Sequence, residues 1–328
     1  MPKRILVLGG AGYIGSHMVL ALQEAGHEVI VLDNLSNGHA DAVPAGVLHV
    51  GDVGDARLLE SLLANNKFDG VIHFAAFIEA GESVKNPEKF FHNNTAKSLN
   101  VLDAIARHGL PLIFSSTAAL YGNPVTLPIP EDHAFAPVSP YGASKLMVEE
   151  ALRSYHLAKG LRYMALRYFN AAGADPKGRL GERHNPETHL VPLILQVASG
   201  RRPQISIYGT DYPTPDGTCI RDYVHVCDLV EAHLLALEHL WSGGKSVAVN
   251  LGGGEGISVR DMITTAAKVT KRPIPAMETE RRPGDPAILT ADITRARTLL
   301  NWTPKQSDPE TLVRHAWAWE QKMAKGMR

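Results

Sequence analysis

Up to about residue 169 of this 328-residue chain, short β-branched apolar runs alternate with stretches of helical periodicity, and few folds permit that alternation. The runs Arg4–Leu8, Val29–Leu32, Leu48–Val50, Gly70–Phe74, Leu112–Ser115 and Arg162–Tyr168 have the length and content of buried strands. Between them Met18, Val19, Leu22 and Ala25 recur at helical spacing, as do Leu58, Leu59, Leu62 and Leu63. Parallel strands need long right-handed crossovers, which helices supply. The expected class is therefore α/β, a Rossmann-type doubly wound parallel sheet.

After Phe169 the texture changes to loops rich in proline and glycine: AAGADPKGRLGERHNPE, YGTDYPTPDGTCIRDY and ERRPGDPA. Long irregular loops of this kind are more often functional than idle. Helical patterns return near Thr188–Ser199, Asp228–Leu240, Val259–Val269 and Pro309–Lys325. We expect a dinucleotide-binding region over 1–169 and a mainly substrate-binding region over 170–328, with the chain returning to the sheet around 218–250. Gly252–Gly256 lacks the spacing of a nucleotide turn and reads as a loop into a helix capped by Ser258.

With 33 basic and 34 acidic residues, the formal net charge of −1 provides no global field for a nucleic acid or an anionic membrane. An anionic ligand must be held by local devices. No apolar run reaches the roughly 18 residues of a membrane span, and the opening MPKRILVLGGAGYIG lacks the features of a signal peptide. Cys219 and Cys227 have neither disulfide-framework nor zinc-motif spacing, so a reducing cytoplasm is the expected compartment. HExxH is absent and no Cys/His cluster has ligand spacing, so no metal is expected.

Gly9-Gly10-Ala11-Gly12-Tyr13-Ile14-Gly15 closes the first strand and opens the first helix. Glycines there permit positive φ and close backbone approach, and the helix N-terminus offers N–H groups and partial positive charge to a pyrophosphate. The spacing is GxxGxxG, so context must carry the reading. Asp33 ends the second strand 24 residues after Gly9, placed to accept ribose hydroxyls. No arginine follows in Asp33-Asn34-Leu35-Ser36, which favours NAD over its 2′-phosphorylated form. Asp52-Val53 follows the third strand, beside the adenine or as an ordinary helix-start acid.

Ser139-Pro140 forms an N-cap and first-turn pair, which places Tyr141 and Lys145 on one helix face at i and i+4. A free tyrosine titrates near 10, and a base working near neutrality needs that value lowered by about 3, roughly 4 kcal/mol. An ammonium and a positively charged nicotinamide nearby can provide this. The fifth strand ends in Phe114-Ser115-Ser116-Thr117, at the carboxyl edge where such sheets bind ligands, and a hydroxyl there can relay a proton.

GGAGYIGSH, LDNLSNG, VIHFAA, FSSTAALYG, SPYGASKLMVE, LRYFNAAGA, YPTPDGTCIRDYVHV and RRPGDPA, in this order over nearly the whole chain, resemble the extended short-chain dehydrogenase/reductases, and within them the UDP-glucose 4-epimerase family. The resemblance implies Thr117, Tyr141 and Lys145 as the catalytic set. It implies NAD held by Gly9, Gly12, Tyr13, Ile14, Gly15, Asp33, Asn34, Asp52, Val53, Phe74, Ala75, Ala76, Asn94, Ser115 and Tyr168 together with Tyr141 and Lys145. For UDP-glucose or UDP-galactose it implies Asn170, His189, Leu190, Tyr208, Arg221, Arg282 and Asp285, and it implies a homodimer. Leu289 aligns with a position that gates a 2-acetamido group.

Two positions depart from that pattern. Ile78 stands where relatives carry a lysine near the cofactor, and Thr188-His189 stands where others carry two asparagines. A 4,6-dehydratase would need an acid–base pair after Thr117, where Ala118-Ala119 stand. A 4-epimerase of another UDP sugar, and a non-catalytic NAD sensor, are the remaining alternatives; the second gives no reason to keep Thr117, Tyr141 and Lys145 together.

Overall fold

The computed structural model describes residues 1–282 and 284–326; Pro283 of the RRPGDPA motif lies outside them. Seven strands, β1 (Arg4–Leu8), β2 (Glu28–Asp33), β3 (Leu48–Val50), β4 (Gly70–His73), β5 (Leu112–Thr117), β6 (Tyr163–Tyr168) and a later Val247–Leu251, form one parallel sheet. Its order is β3-β2-β1-β4-β5-β6 followed by Val247–Leu251. The order reverses between β1 and β4, which opens a crevice at their carboxyl ends.

Strand alternation explains why these runs are apolar throughout. Ile5 and Val7 face one side of the sheet, with Met18 and Leu22 of the Tyr13–Glu24 helix and Leu229, Ala236 and Leu240 of the Val226–Trp241 helix. Leu6 and Leu8 face the other, with Leu59 and Leu63 of Ala56–Asn65, Val101 and Ile105 of Lys97–His108, and Val148 and Leu152 of Pro140–Lys159. A parallel sheet covered on both faces has no polar face to display. Ala25 is the exception to the helical pattern: it caps the first helix and is exposed.

Residues beyond β6 build a second layer at the carboxyl edge. Asn170–Ala172 and Ile288–Leu289 run parallel to Ile220–His225, and Gly256–Ser258 runs antiparallel to it. The helices Leu190–Ala198, Val259–Thr270 and Pro309–Ala324 pack a third core around Ile194, Leu195, Met262, Ala266 and Leu312. Ser258 caps the second of these, its hydroxyl accepting from the Asp261 N–H at 3.0 Å. Cys219 and Cys227 are both free thiols. Among the described residues no helix is long and apolar enough to cross a membrane.

Candidate active site

The β1 turn is shaped by two steric demands. Gly9 has φ +80°, and a Cβ there would lie 2.5 Å from the Ala75 nitrogen; one on Gly15 would lie 2.2 Å from the Gly9 carbonyl oxygen. The Tyr13–Glu24 helix starts at Gly12 with no side-chain cap and no acidic residue in its first turn. Its first N–H donors and partial positive charge are therefore available to an anion. Asp33 accepts from the Ala11 and Leu35 N–H groups at 2.9 and 2.8 Å, which fixes its carboxylate beside this turn.

A groove of about 150 Å³ runs past Gly9, Gly12, Tyr13, Ile14, Gly15, Asp33, Asn34, Val53, Phe74, Ala75, Ala76 and Ser115. An uncapped helix start and a strand-end acid fit the pyrophosphate and ribose of a dinucleotide. Two sequence candidates are set back from this groove. Asp52 accepts from Lys97 Nζ at 2.7 Å and from Asn34 Nδ2 at 2.9 Å, so it orients Asn34. Asn94 is buried, its amide bonded in both directions to the Phe77 backbone at 2.9 Å, and Asn93 lines the groove instead. The π-helical stretch Phe91–Ala96, whose register helical periodicity does not reveal, sets that exchange.

At its inner end the groove meets a larger cleft of about 390 Å³; Tyr13, Ile14, Phe74, Ile78, Ser115 and His184 line both. Thr117, Tyr141 and Lys145 stand here. Ser139 Oγ accepts from Gly142 N at 3.2 Å with Pro140 in the first turn, so the helix starts where Tyr141 can enter the cleft. Ser83, fully buried, accepts the Tyr141 N–H at 3.1 Å. Lys145 Nζ donates to the Ser115 carbonyl at 2.8 Å and lies 4.9 Å from the Phe114 ring centroid. Tyr168 also lines the cleft, its hydroxyl paired with His233.

The electrostatics differ from the sequence expectation. Burial raises the Tyr141 phenol above its ordinary value, against which the hydrogen bond to Thr117 acts, while Glu79 adds to the rise. Burial pulls the Lys145 ammonium down to about 7, with Glu149 opposing. The chain alone thus favours the neutral phenol, and a positive charge arriving with a ligand would favour the phenolate. Behind the site, Glu149 forms a buried ion pair with Arg167 at 2.6 Å and accepts from Ser116. Arg167 also donates to the Tyr121 hydroxyl and the Glu131 carbonyl, both at 2.8 Å.

The outer cleft is lined by Asn170, His189, Leu190, Tyr208, Arg221, Arg282 and Asp285. Strand alternation separates Arg221 from its neighbour: Arg221 pairs with Asp285 in the cleft, whereas Asp222 turns inward and accepts from Gly253 N at 2.5 Å and Ala291 N at 3.0 Å. Burial raises the Asp222 carboxyl to about 6 against those bonds. The Arg282 guanidinium stacks 3.9 Å from the Tyr208 ring centroid. Leu289 is not among the cleft-lining residues. It pairs in register with Arg221, shares its face of the small sheet, and packs against the main core.

Sequence reasoning passed over Glu182 and His184, which also line the cleft. With Glu187 and His189 they converge until one polar atom of each lies within 4.8 Å of the others. Burial alone would raise the Glu182 carboxyl, but His189 and His184 beside it hold it down to about 2. The segment GERHNPETH has no periodic spacing to announce this; only the path of the loop does.

Against known proteins, the sequence profile described as "NAD dependent epimerase/dehydratase family" matches residues 5–252. A protein of Halalkalibacterium halodurans named UDP-glucose 4-epimerase is 50% identical over 98% of this chain and 97% of its own. The crystal structure of UDP-glucose 4-epimerase from Brucella ovis in complex with NAD has a TM-score of 0.94 at 46% identity, covering 96% of this chain and 98% of that one. The Bifidobacterium longum UDP-glucose 4-epimerase, in complex with NAD+ and UDP, has a TM-score of 0.93 at 36% identity over 99% and 100% of the two chains.

Proposed function

The chain belongs to the NAD dependent epimerase/dehydratase family, and from that premise we propose that it interconverts UDP-glucose and UDP-galactose by inverting C4 of the sugar. One observation carries the reading: Tyr141, Lys145 and Thr117 stand where a dinucleotide groove opens into a cleft whose far side presents Arg221, Arg282 and Asp285. There a hydride acceptor in the groove would lie beside a sugar nucleotide in the cleft.

When bound, NAD supplies a reversible hydride acceptor next to the sugar ring. Tyr141 takes the proton of the sugar 4-hydroxyl at its phenolic oxygen, directly or through Thr117, and returns it after the 4-keto sugar has turned over. Lys145 stabilises the phenolate and is itself held by the Ser115 carbonyl. Arg221 and Arg282 grip the diphosphate and Asn170 bonds its oxygens. Asp285 pre-orients Arg221 and takes the ribose hydroxyls. Gripping the nucleotide while leaving the sugar loose lets either face present to the hydride. Ile78 lines the groove with an apolar side chain, so it would offer NAD a contact without charge.

We take residues 1–169 as mainly NAD-binding and 170–328 as mainly substrate-binding. A cytoplasmic homodimer fits the exposed apolar side chains Leu99, Met147 and Leu157 on two neighbouring helices. The test is incubation of the purified protein with a panel of UDP sugars and chromatographic analysis. Interconversion of the glucose and galactose forms supports the reading; inertness toward both with turnover of another UDP sugar overturns the substrate assignment.

A further inference from the structure

We propose that Glu182, His184, Glu187 and His189 form a binding site for a divalent transition-metal cation of the zinc type, on the loop that closes over the junction of groove and cleft. The inference is independent of the reaction proposed above. It rests on geometry, charge and ligand chemistry.

Around Glu182 Oε1 stand His189 Nδ1 at 2.8 Å and His184 Nδ1 at 2.9 Å, and Glu187 approaches the same two imidazoles at 3.0 and 3.9 Å. Four ligands bound tetrahedrally at about 2.0–2.2 Å stand roughly 3.3–3.6 Å from one another. Three of the observed separations fall short of that range and one exceeds it, so an ion is admitted by shifts of up to about half an ångström. Two imidazole nitrogens with two carboxylates suit zinc and its neighbours, whereas magnesium and calcium favour all-oxygen sets.

The charge argument is independent of the distances. The Glu182 and Glu187 side chains are each only 6% exposed, and among the described residues they form no ion pair with lysine or arginine. Arg183, between them in sequence, turns away to pair with Asp41 at 2.6 Å. Two buried carboxylates confined together need compensating positive charge. Either imidazolium groups or a dication with two neutral imidazoles supplies it.

Contacts to the loop backbone and to Glu187 hold these side chains in place. Glu187 Oε1 accepts from the N–H groups of Thr188 and His189 at 2.7 and 2.8 Å. The Glu182 carbonyl accepts from Trp319 Nε1 at 3.1 Å, and the Arg183 carbonyl lies 2.9 Å from His39 Nε2. His189, with 38% of its side chain exposed toward the cleft, gives an ion its way in. Since His184 lines both cavities, a bound ion would pin this loop over them.

The experiment strips the purified holoenzyme with dipicolinate, adds zinc or cobalt, removes the excess by gel filtration and measures metal per chain, with visible spectra of the cobalt form. We expect one ion per chain and the visible bands of tetrahedral cobalt. His184→Ala and Glu187→Gln, each verified as folded by circular dichroism, should weaken binding at least about tenfold. A wild type that retains no stoichiometric zinc or cobalt overturns the proposal, as does equal uptake by wild type and both variants. Either result leaves the four side chains as an imidazolium–carboxylate network. Should both variants fail to fold, the wild-type stoichiometry and cobalt spectrum decide alone.

Discussion

Tyr141 shows how little one residue does unaided. Its pocket raises the phenol and burial lowers the neighbouring Lys145 ammonium to about 7, so a positive charge arriving with the cofactor would favour the phenolate. Tyr141→Phe keeps the ring and removes the ionisable oxygen; turnover should fall by about 10² to 10⁴ with the melting curve little changed. Near-normal turnover would remove Tyr141 from its role. Leu289 poses a separate question, because it pairs in register with Arg221 and packs against the main core without lining the cleft. Leu289→Ala should therefore leave the ratio of kcat/KM for UDP-N-acetylglucosamine to that for UDP-glucose little changed. A raised ratio would restore the gate that the family resemblance implied.

At the scale of elements, the nucleotide turn is set by contacts no larger residue tolerates. Gly15→Ala places a methyl 2.2 Å from the Gly9 carbonyl oxygen and should disrupt the phosphate end of the groove. Wild-type protein denatured after gel filtration should release bound NAD, and this variant little or none. Asp222 ties its strand to the Gly253 and Ala291 loops as a buried acid titrating near 6. Its folded value lies above the unfolded one, so its contribution is complete below about 4 and is lost as pH rises through 6. The wild type minus Asp222→Asn difference in unfolding free energy should therefore fall by about 2 kcal/mol between pH 4 and 7, measured with urea. Strands and the Ser139-Pro140 helix start were legible because they depend on runs and spacings of a few residues. The Glu149–Arg167–Tyr121 network and the Glu182–His189 cluster were not, since tertiary folding assembles them. Asn94 looked like a ligand contact because sequence gives no sign that its amide braces Phe77.

For the molecule as a whole, the sheet's reversal point, the glycine turn and the second layer converge on one junction, where a sugar can give up a hydride and receive it again. That return is the central claim, and an isotope tests it. UDP-galactose carrying deuterium at C4 is incubated in ordinary water with purified protein and no added NAD, and the product is analysed by mass spectrometry and proton NMR. The account predicts UDP-glucose that retains the deuterium at C4, because the same hydride leaves and comes back within one closed site. UDP-glucose formed with hydrogen from water at C4, or no UDP-glucose at all, would contradict it.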